Sequence, residues 1–134
     1  MEKEKILNVG KIGELKFERA YYAYVGSALA GIHRLERHLR NLKLKNVENK
    51  HWHIDFIISH CKFIGWFFAE SFEPGKEEAV ANSLSKKLKY VKGFGSSDSR
   101  APSHLFKDSN LEHLKDCIEK ALRSLNIENV QYCQ

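Results

Sequence analysis

No stretch of this 134-residue chain stays apolar for the ~20 residues that a bilayer-crossing helix requires. The longest candidate, Phe63 to Ala69, is bounded by Lys62 and Glu70 and is expected to be a buried strand. The opening residues, Met1-Glu2-Lys3-Glu4-Lys5, have neither the apolar core nor the small-residue cleavage site of a secretory signal, so the expected location is the cytoplasm. Cysteine is sparse: Cys61, Cys117 and Cys133 are odd in number and far apart. With no CxxC spacing they exclude a zinc knuckle or a redox pair, and reduced thiols are expected. Cys61 and Cys117 sit in apolar patterns and read as small buried hydrophobes. Repeats and linkers are missing too, so one domain is expected to span residues 1–134.

What is present is ordinary for a chain that folds alone. A hydrophobic fraction of 43% with 29% charged residues argues against disordered and fibrous classes. A chain of this length buries roughly two thirds of its unfolded surface without disulfides. The formal net charge is +5 and the pI about 9.1, which favours a polyanionic partner. The charge is concentrated: between His33 and Lys45, Arg34, Arg37, Arg40, Lys43 and Lys45 stand against a single acid, Glu36.

Ile6–Val9, Glu14–Phe17 and Tyr21–Val25 read as three short strands of an antiparallel meander. Ile32, Leu35, Leu39 and Leu42 recur at helical spacing, so a helix is expected to dock on the sheet by its leucine side and expose Arg34, Arg37, Arg40 and Lys43. From His51 to Ser59 the residues alternate, with His51, His53 and Asp55 on one strand face. Cys61–Ala69 is expected to pair with that strand through a Ser59-His60 turn as a central apolar strand. Ala79, Val80, Leu84 and Leu88 predict a helix ending near Tyr90, with Glu77 and Glu78 in its first turn. A loop from Gly93 to His104 leads to a last amphipathic helix, Leu111–Leu125. The expected class is α/β (α+β), a small mixed or antiparallel sheet flanked by helices.

The segment Tyr22-Ala23-Tyr24-Val25-Gly26-Ser27-Ala28 joins an aromatic strand to the basic helix. Such a junction sets tyrosine hydroxyls beside a phosphate-binding surface, which points to nucleic acid as the partner. Arg37, His38, Arg40 and Lys43 are its candidate contacts, with His51 and His53 on the neighbouring face. His51, His53 and Asp55 are also conceivable metal ligands, although strand histidines are more often hydrogen-bonded than metallated. The glycine and serine amides of the 93–104 loop can cradle a phosphate, with Asp98 and His104 close by; the loop is equally read as purely structural.

The ordered segments YYAYVGSA, GIHRLERHLR, HWHIDF, EEAVANSL and GFGSSDSRAPSHLF resemble the GIY-YIG nuclease superfamily, in the branch found alone in archaea and bacteria or fused to endonuclease III proteins. The likeness runs from about Ile6 to Phe106. Tyr24-Val25-Gly26 matches the second half of the superfamily name, Arg34 its helix arginine and Glu77 its metal-binding glutamate. Glu78 competes with Glu77 for that place. HWHID and GFGxSD mark the branch.

One departure stands out: Met1 to Ala20 contains no tyrosine, whereas the superfamily's first motif places one upstream of Tyr24. Either the chain lacks that strand or Tyr22, on the same face as Tyr24, takes its part. The branch often has cysteines in the 93–104 loop; here the matching positions are Ser99 and Ala101, which removes a thiolate zinc site.

The resemblance implies a metal-dependent endonuclease acting on DNA, with Mg²⁺ or Mn²⁺ held by Glu77 against a phosphate oxygen. Arg34 would offer its planar fork to the phosphoryl oxygens. Tyr22 or Tyr24 would orient or deprotonate water, which for a group of ordinary pKa near 10 requires cationic neighbours such as Arg34 and Arg37. Two other readings stand beside it: a non-catalytic nucleic-acid-binding module on a nuclease fold, and a scaffold whose positive face meets an acidic protein. Taken residue by residue, Tyr22 and Tyr24 are also ordinary half-buried strand residues, and the arginines a solvated helix face.

Overall fold

A computed structural model describes residues 1–27, 32–44, 50, 52–70, 75–96 and 99–133. The fold is α+β, built from short antiparallel strands and three helices. Strands β1 (Lys5–Val9) and β2 (Gly13–Phe17) form a hairpin in the register Lys5↔Phe17 to Val9↔Gly13. Their alternation turns Val9 and Phe17 inward, where both are fully buried.

The chain then leaves the hairpin instead of extending it as a meander. Strand β3 (Tyr21–Tyr24) and strand β5 (Lys89–Tyr90) flank a central strand β6 (Leu105–Asp108) in the order β3-β6-β5. The pairing Tyr21↔Asp108 through Tyr24↔Leu105 explains the choice. Leu105 and Phe106 are 1% and 0% exposed, so β6 is buried on both faces and must be central, although it follows a loop of glycine, serine and proline that hides it in the sequence.

Because successive strand residues face opposite ways, β3 and β6 serve two cores. Ala23 and Phe106 face helices α2 (Lys76–Ser85) and α3 (Leu111–Ser124), joining Val80, Ala81, Leu84, Leu114, Cys117 and Ala121. Tyr22, Tyr24 and Leu105 face the hairpin, joining Val9, Phe17, Ile57 and Phe94. The sheet is thus a middle layer between two helices and a hairpin.

Helix α2 stops at Ser85, short of Tyr90, because Lys89 and Tyr90 are taken as the edge strand against Lys107 and Phe106. Helix α3 lies where its periodicity puts it, and its N-cap Asn110 accepts the His113 N–H at 3.1 Å. Strand β4 is only Trp66–Glu70 and pairs with β7 (Glu128–Cys133), so the expected central apolar strand is instead half of a two-stranded sheet whose Phe68 is exposed. All three cysteines are free; Cys117 is buried, but Cys61 is only half-buried.

The expected strand over 51–59 is replaced by two 3₁₀ turns, His53–Phe56 and Ile58–His60. The cause is Asp55. Its carboxylate accepts the Trp52 N–H at 2.9 Å while its own N–H reaches the Trp52 carbonyl at 3.0 Å, a local closure that competes with an extended ladder. His53 and Asp55 therefore do not line a strand face, and His51 lies outside the described residues. Asp55 is 1% exposed and receives both terminal nitrogens of Arg37 at 3.0 Å each, a bidentate pair that fastens helix α1 (Ile32–Leu44) to the turn. Trp52 covers the same guanidinium, 4.7 Å from its ring centroid. Helix α1 thus docks in part through Arg37, which the sequence placed on an exposed face, with Asn41 buried and Leu39 and Leu42 half-buried; the side chains of Ile32 and Leu35 lie outside the described residues.

Removing one partner of a buried pair leaves the other charge uncompensated. Asp55→Ala is expected to lower unfolding free energy by about 3 kcal/mol in urea denaturation, and Arg37→Lys to recover little of an Arg37→Ala loss because ammonium cannot bind both oxygens. A loss at Asp55→Ala of below roughly 0.5 kcal/mol, the range of ordinary surface substitutions, would contradict this role.

Candidate functional site

Strand β3 delivers Tyr24 to the place where α1, the His53 turn and the loop before β6 meet. Its ring lies edge-on to Phe94 and to His38 of α1, with centroids 6.3 and 6.1 Å away. His38 is in turn edge-on to Trp52 at 5.2 Å, and His53 to Phe94 at 5.5 Å. The His53 Nδ1 accepts the Gly95 N–H at 2.7 Å, which leaves the ring proton of a neutral imidazole on Nε2. Gly95 has φ +69°, and a Cβ there would come within 3.1 Å of His104 Cβ and 3.2 Å of Tyr24 Cε1. Only glycine lets the loop backbone lie against the tyrosine ring.

His104 binds these elements together. Its backbone takes part in two hydrogen bonds, accepting the Val25 N–H at 2.9 Å and donating to the Phe94 carbonyl at 2.8 Å. Its buried imidazole has Nδ1 3.2 Å from the Val25 carbonyl and 3.4 Å from Glu77 Oε1, and Nε2 3.0 Å from Ser99 Oγ. Both neighbours of Nδ1 are acceptors, so Nδ1 carries a proton; the Ser99 hydroxyl donates to Glu78, so its oxygen accepts from Nε2–H when the ring is charged. Burial alone would lower the pKa of His104. The Glu77 hydrogen bond, the Val25 carbonyl and the charges of Glu77 and Glu78 outweigh it, holding the imidazole above its ordinary value.

The two acids at the start of α2 have separate tasks. Glu77 faces His104 with its side chain 31% exposed. Glu78 instead ties down the loop, accepting the Ser99 hydroxyl at 3.2 Å and the Arg100 N–H; the Arg100 bond, followed by that of Ser99, holds its carboxyl below the usual range. The open choice between them thus becomes a geometric one: Glu77 borders Tyr24's end of the strand, Glu78 the loop.

Among the other candidates, Tyr22 is placed differently from Tyr24. Its hydroxyl donates to the Glu18 carbonyl at 2.9 Å, and burial, with the Glu18 charge, pushes its pKa up to about 12. That is the reverse of what a tyrosine base needs. Arg37 is engaged by Asp55 and is half-buried, so its fork serves the fold. Arg40 and Lys43 are exposed on the outer face of α1. The side chain of Arg34, and His51 and Asp98 entirely, lie outside the described residues. No group of three or more His, Cys, Asp or Glu among the described residues is arranged to hold a metal by itself; His51, the third member of the His51, His53 and Asp55 set, is not among them. Residues not singled out from the sequence include Trp52, which sits on Arg37 and His38, and Ser99, which links His104 to Glu78; the HWHID and GFGxSD segments that contain or adjoin them were the available signal.

The chain belongs to the family described as Domain of unknown function DUF123, whose model matches residues 1–127. No curated protein and no solved structure matches it. Among the described residues no helix is long and apolar enough to cross a membrane.

A histidine whose folded pKa is raised stabilises the fold most when protonated. Its contribution is fully present below the unfolded value of about 6.5 and is lost as pH rises through the folded value. Urea unfolding of the wild type is therefore expected to weaken above pH ~6.5 by an amount that His104→Asn abolishes. Glu77→Gln should lower the His104 pKa, read from its imidazole proton shifts by NMR; an unmoved titration would show that Glu77 does not act on the ring.

Proposed function

We propose that this protein is a metal-dependent endonuclease of the GIY-YIG type that hydrolyses phosphodiester bonds in DNA. The observation that carries this reading is the convergence of Tyr24, His38 and the half-buried carboxylate of Glu77, bridged by buried His104 through the carbonyl that follows Tyr24. Glu77 suits a Mg²⁺ or Mn²⁺ ion of the kind bound by one carboxylate, waters and substrate phosphate oxygens. Among the described residues His104 engages its Oε1, and the second oxygen would serve the ion. The metal would supply stabilisation of charge on the leaving oxygen.

The chain's own groups divide the remaining work. His104, itself held by Val25 and Ser99, keeps the Glu77 carboxylate at the end of β3. Tyr24 orients the attacking water; Tyr22, with its high pKa and committed hydroxyl, does not. Arg34, by the resemblance, would offer a planar fork to the phosphoryl oxygens. Arg40 and Lys43 on the outer face of that helix hold flanking phosphates.

A second reading is favoured by Tyr22 specifically. If the first tyrosine of the superfamily is indispensable, its nearest substitute here is a poor base, and the same surface works as a nucleic-acid-binding module without turnover.

Nicking of supercoiled plasmid in Mg²⁺ or Mn²⁺ tests both. Wild-type cleavage is expected to fall by at least ~100-fold in Glu77→Ala and in Arg34→Ala, purified identically, and to survive in Tyr22→Phe but not in Tyr24→Phe. Cleavage indifferent to Glu77 and Arg34 would mark a contaminant and sink the nuclease reading. No cleavage, with salt-sensitive DNA binding retained by Glu77→Ala, would establish the binding module.

A further inference from the structure

At the end of the sheet away from Tyr24, the three strands set two lysines against each other. Lys107 of β6 stands directly opposite Lys89 of β5 on one side and Tyr22 of β3 on the other. Directly opposed strand residues share a face, with Cβ atoms roughly 5 Å apart, and like charges so placed destabilise a sheet. The strain is only partly relieved within the chain. Lys107 Nζ reaches Glu18 Oε1 at 2.6 Å, and that bond, then the charges of Lys107, Lys89 and Lys16, hold the Glu18 carboxyl below its ordinary value. The side chain of Lys89 has no hydrogen-bond or ion-pair partner among the described residues, and neither have those of Lys87 and Arg19.

These groups line a shallow cleft of about 270 Å³. Its other carboxylate, Asp108, is already satisfied by the His113 ring and by the Asn110 N–H at 2.9 Å. Both acids are therefore occupied, while Arg19, Lys87 and Lys89 stand around one concavity without an ion pair of their own among the described residues. Apart from Ala20 and Leu88 every lining residue is polar or charged, although carbon makes up more of the exposed lining than nitrogen and oxygen do. A site for a small organic ligand is enclosed, whereas an open groove ringed by cationic side chains fits a phosphate backbone.

We infer that this cleft is a second phosphate-binding surface, which holds the sugar-phosphate backbone of a nucleic acid engaged at the Tyr24 site. The assignment rests on the reading of that site as a nucleic-acid surface. Spacing agrees with one continuous partner. Tyr24 lies two residues along β3 from Tyr22, about 7 Å, and Lys89 lies two strands across, about 10 Å. Both surfaces fall well within one ~34 Å turn of duplex. Lysines suit this task because they attract phosphate as point charges without selecting a base.

The test is fluorescence anisotropy of a labelled DNA duplex titrated with protein across 50–200 mM KCl, in EDTA so that the duplex stays intact. The plot of log affinity against log salt is expected to be shallower by roughly 2 in Lys87→Gln/Lys89→Gln, one phosphate contact per lysine. A control with the same change in net charge, Lys62→Gln/Lys120→Gln, keeps the wild-type slope. All four lysines are exposed, so folding is spared, and matching circular dichroism melts confirm it. Equal slopes in wild type and Lys87→Gln/Lys89→Gln would overturn the assignment and leave the lysines as guards of the β5 edge. A control that shifts the slope equally would overturn it as well, by reducing the effect to net charge. Unaltered slopes beside active plasmid nicking would sink the cleft alone, whereas a wild type with no salt-sensitive binding would sink both the cleft and the nucleic-acid reading.

Discussion

The pair between Arg37 and Asp55 is the constraint on which the arrangement around Tyr24 depends. A carboxylate this deeply buried is unfavourable unless every oxygen is satisfied. Arg37 supplies two parallel bonds and the Trp52 N–H a third. Meeting that demand folds residues 52–56 into a tight turn and fixes the rotation of α1, because Arg37 must point at the turn. His38, the next residue, is then directed at Tyr24 and Trp52. One buried charge thereby positions an aromatic and imidazole cluster.

His104 performs the equivalent service on the other side of the strand end. It is the residue before β6, so its backbone continues the β3–β6 pairing to Val25, while its ring reaches the first turn of α2 and the 99–101 loop. A buried imidazole between a carboxylate, a carbonyl and a hydroxyl is an electrostatic compromise. Desolvation opposes its charge, yet two acids on one helix turn favour it. The same contact holds Glu77 at the edge of solvent rather than letting it swing free. A packed, neutralised scaffold thus carries one accessible carboxylate at the strand end.

Charge is distributed unevenly over the surface. The outer side of α1 carries Arg40 and Lys43, and the far end of the sheet carries Arg19, Lys87, Lys89 and Lys107. Most acids near these cations are already paired, as Glu18 is with Lys107 and Asp108 with His113. The long-range field is therefore set less by the net charge than by which cations lack partners. That distinction comes from side-chain geometry and is invisible to composition.

The α+β class, the β1–β2 strands and the place of α3 were legible in the sequence, since local periodicity and capping depend on neighbours along the chain, and motif order named Tyr24, Glu77 and His104 as candidates. The 51–59 segment was misread because HWHIDF alternates like a strand, and nothing local announces that Asp55 will be buried and answered by Arg37, eighteen residues away. Strand β6 was missed because its four residues are recognisable only by being covered on both faces. Nor did spacing along one strand separate Tyr22 from Tyr24: the two share a face, and what tells them apart is a carbonyl beneath one and a ring of aromatic and histidine partners around the other. The sequence by itself determined the elements and the kinds of side chain available. Tertiary structure alone decided which charges were consumed in holding the fold and which remained for a ligand, because burial and pairing are properties of residues distant in the chain and adjacent in space.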